Sequence, residues 1–293
     1  WDDCSTKCER AYTDMCRERT AVSTPYGCES YYSDCSSKCQ TAYADNCRNQ
    51  TAVSVPANAH CTSYYSDCSS KCSAWSCDSG YNQSGSSCVV ASETCKIGSI
   101  YYTDGTCFSA ANHQTNKTVL GIVVHTTDNG KHGQIIAPWP IDTNGNKTSS
   151  NSTTMMWSTE YVDISGLPNY SSTSAASMDY NSCSNTDKIV AQGNASTYPA
   201  AWATRRYAPT ETTKGKWCLP AAGIMTSIYN NQNVIQTAIS KAGGVSYPTY
   251  YTWSSSEDSS DRVWQSHLNY PYGLGSYFSS KTGYLCVRPV LEF

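Results

Sequence analysis

The chain has 293 residues, a formal net charge of −3 and 15% charged side chains, enough material for one large or two ordinary domains. Proteins that bind nucleic acid concentrate Lys and Arg on one face, so this charge balance predicts no nucleic-acid partner. The longest apolar run, TVLGIVV at 118–124, is far shorter than the roughly 20 residues that a membrane span needs, so we expect no membrane span.

Cysteine is unusually frequent: there are 17 cysteines, of which 14 precede residue 108. Histidines do not accompany them at metal-ligand spacing, which favours disulfides in an oxidising compartment, with zinc as the competing interpretation. We therefore expect an extracellular or cell-surface protein. The odd count leaves one cysteine as a free thiol or as a bridge to another chain. The sequence begins at Trp1 rather than Met, which suggests removal of a leader segment.

The N-terminal third repeats itself. CSTKCERAYTDMC at 4–16 returns as CSSKCQTAYADNC at 35–47, and a degraded third copy begins at 64–72. The first cysteines of the three copies are 31 and 33 residues apart, a period typical of a repeated supersecondary unit. Steps of four residues keep side chains on one helical face, so each copy predicts a short helix with a cysteine stripe. We predict a small, disulfide-stapled helical repeat region over 1–94.

Two hairpins are predicted next. CKIGSIYYTDGTC at 95–107 contains two short extended runs around an Asp-Gly turn, which makes Cys95 and Cys107 candidates for a disulfide. The segment 117–141 contains two apolar runs separated by Asp-Asn-Gly at 128–130. This pattern predicts two antiparallel strands.

The following 75 or so residues are polar, and helices return only near the C-terminus. Segment 142–216 shows few helical or strand periods and predicts long packed loops. Segment 214–244 has aliphatic residues at near-helical spacing and ends at a Gly-Gly pair, which predicts two short helices, the second at about 233–241. The final YLCVRPVLEF predicts a terminal strand that Pro289 limits to an edge or a bulge.

The segment before that strand has a distinctive composition. Between Tyr247 and Tyr284 there are seven Tyr and nine Ser in 38 residues. Tyr supplies a large, rigid contact surface at low entropy cost, while Ser and Asn supply adaptable hydrogen bonds, as in a paratope. The alternative is that Tyr is simply the preferred aromatic of this chain, which has 23 Tyr and 3 Phe.

Several C-terminal motifs occur together in order: KWCLPAAG at 216–223, TWSSSE at 252–257, the pair VW at 263–264 and VRPVLEF at 287–293. Together they resemble the C-type lectin fold of the formylglycine-generating-enzyme type. More narrowly, they are similar to variable proteins diversified by retroelements of bacteria and phages. The resemblance covers about 95–293 and does not include the cysteine-rich repeats.

The resemblance implies an α+β fold, with a C-type-lectin-like domain over 95–293, much irregular structure and a displayed binding segment at 250–284. It implies a scaffold of Trp253, Ser254, Ser255, Glu257, Trp264, Gly273, Lys281, Val287, Arg288 and Val290. It implies a ligand-binding set drawn from Asp258, Ser260, Asp261, Arg262, Gln265, His267, Asn269, Tyr270, Tyr272, Leu274, Ser276 and Tyr277.

Catalytic motifs are sparse, and we expect neither an enzyme nor a cofactor. Formylglycine-generating relatives use a reactive cysteine pair that binds copper, whereas after residue 107 this sequence has only Cys183, Cys218 and Cys286, with no close pair. Cys183 and Cys218 are expected to form a disulfide. His125 and His132 flank the 128–130 turn but lack a third metal ligand.

Two further groups of oxygen-bearing side chains are candidate sites. Glu160 and Asp163 form a candidate carboxylate pair for glycosidic chemistry, but such pairs are usually solvated. The DTNGN segment at 142–146 has oxygen spacing suited to weak calcium binding, yet it lacks the distal Glu and is more typical of a turn. No metal site is predicted.

The sequence therefore favours a secreted or surface-displayed binding protein, with a protein or glycan ligand on another cell or particle as its partner. The alternative is a structural subunit of an extracellular fibre or surface assembly, with self-assembly through the Cys-rich region.

Overall fold

The structure is a computed structural model. It describes residues 28–32, 35–42, 51–65, 71–248, 251–266 and 278–293. The chain divides into two compact units, Trp1–Ala91 and Ser92–Phe293, a few residues from the boundary at 94 expected from the cysteine pattern.

The described part of the first unit consists of antiparallel strand pairs. The strands are β1 (Cys28–Tyr32), β2 (Cys35–Ala42), β3 (Ala59–Tyr64), β4 (Cys72–Cys77), β5 (Tyr81–Ser84) and β6 (Ser87–Val90). They pair as β1 with β2, β3 with β4 and β5 with β6. Disulfides join Cys61 to Cys72 and Cys77 to Cys88.

The helical prediction for the repeats is wrong where the structure tests it, because Cys35–Ala42 is the strand β2. The first copy at 4–16 and the rest of the second copy, 43–47, lie outside the described residues. A spacing of four residues does not distinguish the two structures, since positions i and i+4 share a face in a strand as well as in a helix. A short cysteine-rich segment with no apolar stripe has little to stabilise an isolated helix.

The second unit is built around a five-stranded antiparallel sheet in the order β16-β10-β9-β7-β8. Its strands are β7 (Ile100–Tyr102), β8 (Cys107–Phe108), β9 (Val119–Thr127), β10 (His132–Ile136) and β16 (Val290–Glu292). Both predicted hairpins are confirmed, as β7–β8 and β9–β10. At the β9–β10 turn, Asp128, Asn129 and Gly130 all have positive φ, which explains the Asn-Gly sequence there.

This sheet is buried on both faces. On one face Val123 and Ile135 pack into a cluster that contains Trp253. On the other face Ile122 and Ile136 pack into a second cluster. Burial on both sides explains why β9 is a continuous apolar run rather than an alternating one.

Two smaller sheets complete the described part of the unit. Their strands are β11 (Met155–Met156), β12 (Thr252–Ser259), β13 (Arg262–Ser266), β14 (Phe278–Ser280) and β15 (Tyr284–Leu285). β12, β13 and β14 form a three-stranded sheet, and β11 pairs with β15. The predicted terminal strand thus contains two short pieces, and Pro289 directly precedes β16 at the edge of the large sheet.

The helices are α1 (Thr173–Ala176), α2 (Ser182–Gln192), α3 (Pro199–Arg206), α4 (Ala222–Asn230) and α5 (Gln232–Lys241). The last two confirm the helices predicted within 214–244. Their residues Ile224, Ile228, Ile235 and Ile239 pack against the sheet in the second cluster. No helix in the described ranges is both long enough and apolar enough to cross a bilayer.

The prediction of loops over 142–216 is wrong for α1, α2 and α3. The buried face of α2 includes Ser182, Asn185 and Thr186, and that of α3 includes Ala200 and Thr204. Small and polar buried residues leave no apolar period for a sequence pattern to detect. The unit as a whole is therefore α+β, with several small antiparallel sheets.

Two disulfides staple this unit, Cys95–Cys107 and Cys183–Cys218, which are the pairs that the sequence suggested. Cys286 is a free and buried thiol. Burial raises the pKa of the Cys286 thiol to about 11. Four disulfides in the described part of the chain are typical of extracellular and cell-surface proteins.

Candidate functional site

The strand β12 is buried although its sequence, TWSSSEDS, is polar. Residues 252–257 are all fully buried. The Ser256 hydroxyl donates to Asp179 at 2.6 Å and accepts the N–H of Ala222, the first residue of α4, at 2.9 Å. Ser254 donates to the carbonyl of Trp264 at 2.7 Å. These serines are thus part of the buried scaffold. Their hydrogen bonds offset the free-energy cost of burying polar hydroxyl groups.

Two tryptophans attach a neighbouring loop to this strand. The indole N–H of Trp157 donates to the carbonyl of Ser254 at 2.9 Å, and that of Trp253 donates to the carbonyl of Met155 at 2.7 Å. Both rings are fully buried. They hold the chain around 155–164 against β12.

A buried ion pair lies at the end of β12. Lys281 pairs with Glu257, and both side chains are fully buried. The ammonium also donates to the carbonyl of Val162 at 2.7 Å and lies 5.0 Å from the centre of the Trp157 ring. The carboxylate accepts the N–H of Ile164 at 3.1 Å. Burial raises the pKa of Glu257 and outweighs the opposing effect of Lys281. The pair therefore ties three chain segments together, and its hydrogen bonds compensate part of the cost of desolvating two charges.

The β12–β13 turn projects beyond this ion pair. Its residues Ser260 and Asp261 are exposed. Arg262 forms an ion pair with Asp258 at 2.8 Å, and its guanidinium lies 3.6 Å from the centre of the Phe278 ring. A hydrogen bond from Ser259 lowers the pKa of Asp261.

A second exposed aromatic lies beside β14. The Tyr161 hydroxyl is 3.2 Å from that of Ser280 and 2.9 Å from that of Thr282, and the Tyr161 residue is 58% exposed. Phe278 and Ser280 are two residues apart on β14 and so share a face of that strand. We call the set Tyr161, Ser260, Asp261, Arg262, Phe278 and Ser280 the tip cluster.

The structure places the predicted binding residues unequally. Ser260, Asp261 and Arg262 reach solvent, whereas the Asp258 side chain is only 6% exposed beneath Arg262. Gln265 is buried and accepts a hydrogen bond from Ser279 at 2.7 Å. It shares a face of β13 with Val263, which packs into the cluster that contains Trp253, so Gln265 is not a displayed side chain. The predicted residues outside the described part of the chain are His267, Asn269, Tyr270, Tyr272, Leu274, Ser276 and Tyr277.

The scaffold set implied by the resemblance is buried wherever the structure describes it. The buried members are Trp253, Ser254, Ser255, Glu257, Trp264, Lys281, Val287, Arg288 and Val290. Gly273 lies outside the described residues. The nearly complete burial of Arg288 lowers its pKa to about 10, so the guanidinium stays charged at neutral pH.

Sequence reasoning missed Tyr161 and Phe278. Phe278 lies within the predicted displayed segment 250–284 but was not among the named binding residues, and Tyr161 lies about a hundred residues before the segment it joins. The exposure of Phe278 and the contact of its ring with Arg262 appear only in the folded chain.

The candidate catalytic residues are brought together only in part. His125 is opposite Gln134 and His132 is opposite Thr127, so the two histidines are not direct cross-strand partners, although both line one open cleft beside Tyr180. Glu160 and Asp163 are both exposed, and Asp163 accepts a hydrogen bond from Asn169.

Metal ligation has little support within the described ranges, which hold no group of three His, Cys, Asp or Glu side chains able to bind a metal. The carboxylate of Asp142 accepts the N–H groups of Asn144 and Asn146, each at 2.9 Å, as expected for a turn.

The tip cluster therefore combines two aromatic rings, both signs of charge and several hydroxyls, contributed by the β12–β13 turn, by β14 and by the loop that contains Tyr161. Aromatic and Arg side chains are the residues that contribute most to protein interfaces. Such a surface can make apolar, charged and hydrogen-bonded contacts with a macromolecule.

Comparisons with known proteins add little. No model of a known protein family matches the chain, and no curated protein does. Among solved structures, the chain is similar to a fimbrial protein from Bacteroides ovatus, with 15% identity and a TM-score of 0.42 over 68% of this chain and 49% of that chain. The chain thus spans about half the length of that fimbrial protein. At this identity and TM-score the likeness does not establish a common fold.

Proposed function

We propose that the protein is secreted or displayed on a cell surface and binds a macromolecular ligand through the tip cluster. The observation that carries the proposal is the contrast within one hairpin. Residues 252–257 are fully buried around the Glu257–Lys281 pair, while Ser260 and Asp261, a few residues further on, are exposed.

This contrast is the arrangement that a preorganised binding surface needs. A rigid base lowers the entropy lost on binding, so that exposed side chains contribute more of their contact energy to affinity. The sequence also predicts ligand-binding residues within 267–277, from its Tyr, Asn and His content, and this segment lies outside the described residues.

We further propose a C-type-lectin-like fold for 95–293 and retroelement diversification of the displayed positions. The motifs from KWCLPAAG to VRPVLEF support both ideas. Diversification is tested by the neighbouring DNA, which is expected to contain a reverse-transcriptase gene and a mutated near-copy of the 3′ end of this gene. Their absence removes diversification and leaves the binding proposal intact.

Binding is tested by applying the purified full chain to arrays of glycans and of extracellular protein domains. Tyr161→Ala and Arg262→Ala are each expected to weaken a genuine interaction by about tenfold or more. Tyr64→Ala is the matched control, because Tyr64 is 54% exposed, nearly the same as Tyr161, and lies in the other unit. Interactions that both tip variants leave unchanged would contradict the proposal.

The oligomeric state distinguishes binding from assembly. Sedimentation of the wild-type chain under reducing and non-reducing conditions is expected to show no polymer. A polymer that Arg262→Ala disperses would instead identify the tip cluster as an assembly surface and support a fibre subunit.

A further inference from the structure

Trp139 differs from the other tryptophans of its unit. Six tryptophans lie between Ser92 and Phe293, and five of them belong to the two hydrophobic clusters or pack against them. Trp139 is in neither cluster and is partly exposed. A large aromatic that is not needed for core packing is a candidate for contact with a ligand.

The backbone holds Trp139 firmly in place, in the sequence Pro138-Trp139-Pro140. A residue before proline is restricted to extended conformations, so Pro140 limits the conformation of Trp139. The carbonyl of Pro138 accepts the N–H of Val245 at 3.0 Å, and that of Pro140 accepts the N–H of Thr148 at 2.8 Å. The ring is therefore presented by a preorganised segment, which reduces the entropy cost of binding.

Two open clefts meet at this ring. One has a volume of about 430 Å³, and its lining includes Thr118, Tyr207 and Pro209. The other has a volume of about 350 Å³ and is lined by Ser149 and by residues near Gly243. Both clefts are lined by Trp139 and by Lys147. Their volumes lie at the lower end of the range for small-ligand sites.

The charge around the ring is positive. The ammonium of Lys147 lies 4.9 Å from the centre of the Trp139 ring, and no carboxylate in the described part of the chain forms an ion pair with it. The described lining residues of the two clefts include no Asp or Glu. The nearby Asp142 carboxylate is occupied by N–H groups of its own turn.

Polar groups that form no hydrogen bond to a described residue lie around the same ring. Thr118 and Ser149 make no side-chain hydrogen bond to any described residue, and the amide of Asn146 donates to Asp142 while leaving its carbonyl oxygen open. Hydroxyl and amide groups beside an aromatic face suit a ligand that has both an apolar face and many hydroxyls.

We propose that the clefts around Trp139 bind an acidic carbohydrate. The C–H face of a sugar ring packs on the indole, its hydroxyls bond to the open polar groups, and its carboxylate pairs with Lys147. The site is independent of the tip cluster, so it stands whether or not that cluster binds a partner.

The test is calorimetric titration of the full chain with two probes of equal length. One is a tetrasaccharide of alternating glucuronate and N-acetylglucosamine, and the other is the neutral N-acetylglucosamine tetramer. The acidic probe is expected to bind about tenfold more tightly, with an affinity that falls as salt is added. Failure of both probes to bind, or equal binding of both, overturns the proposal.

Variants assign the binding to the ring and the cation. Trp139→Ala is expected to reduce binding of both probes by about tenfold or more, with partial recovery in Trp139→Phe. Lys147→Gln is expected to remove the preference for the acidic probe. Lys131→Gln makes the same change of charge at an exposed turn and is expected to have no effect. If Trp139→Ala does not fold, Trp139→Phe and Lys147→Gln still decide the outcome. Unchanged binding in both of these variants overturns the site.

Discussion

Removing the positive charge from the buried ion pair is expected to be the most damaging single change in the candidate site. In Lys281→Met, the carboxylate of Glu257 keeps the N–H of Ile164 but loses its ammonium partner while staying fully buried. The carbonyl of Val162 loses its donor, and the Trp157 ring loses its cation contact. Breaking a buried pair in this way costs about 3–5 kcal/mol. For a unit of this size, the cost corresponds to a fall in Tm of roughly 10 °C.

The effect should depend on pH in a defined direction. Burial already raises the pKa of Glu257 above its ordinary value of 4.5, and loss of Lys281 is expected to raise it further. The folded variant then binds a proton that the unfolded chain has released, so its stability falls as pH rises above about 4.5. The difference between wild type and Lys281→Met is therefore expected to widen as pH rises above the ordinary pKa of Glu257.

The assay is denaturant unfolding followed by tryptophan fluorescence with the disulfides intact. The double variant Glu257→Gln/Lys281→Met is the control, because it removes both charges and leaves no unpaired buried carboxylate. It is expected to be more stable than Lys281→Met alone and to show no widening with pH. Equal stability of the single and double variants, or a loss below about 1 kcal/mol, would refute the reasoning that the pair is desolvated and coupled.

Three further outcomes are expected. Ser256→Ala removes two buried hydrogen bonds and should cost about 1–3 kcal/mol in denaturant unfolding, whereas Ser260→Ala on the exposed turn of the same hairpin should cost less than about 0.5 kcal/mol. Equal costs would argue against the buried network. Replacing Cys183 and Cys218 together by Ser opens a loop of 35 residues and should lower the free energy of unfolding by about 2–4 kcal/mol, measured without reductant. An unchanged Tm would show that this disulfide does not stabilise the fold. Cys286 should resist labelling by a maleimide in the native protein near neutral pH and react in guanidinium, because the thiol is buried and its pKa is raised to about 11. Rapid labelling of native Cys286, detected by peptide mapping, would contradict its burial.

The sequence predicts well where local patterns match local structure. The hairpin β9–β10 was predictable because its strands are apolar and its turn contains Asn-Gly. The helices α4 and α5 were predictable because their isoleucines repeat at helical spacing. In these elements the buried face is apolar, so the periodicity of the sequence reports burial directly.

Sequence-based prediction failed where the buried side chains are polar, or where the residue spacing fits both a helix and a strand. The cysteine spacing at 35–42 fits a helix and a strand equally, and the chain there is a strand. α2 buries Ser182, Asn185 and Thr186, which no hydrophobic pattern reveals. The burial of Gln265 depends on the packing of the β13 face that it shares with Val263, which is a property of the fold rather than of the residue.

The amino-acid sequence alone indicated the disulfides Cys95–Cys107 and Cys183–Cys218, the main hairpin and the C-terminal helices, because cysteine spacing, turn residues and apolar periods act locally. Only the tertiary structure decided which polar residues of the C-terminal segment are scaffold and which are surface. A serine has the same chemistry at Ser256 and at Ser260, and it becomes buried or exposed according to the partners that distant segments bring to it. The same holds for Tyr161 and Trp139, whose neighbours come from remote parts of the chain.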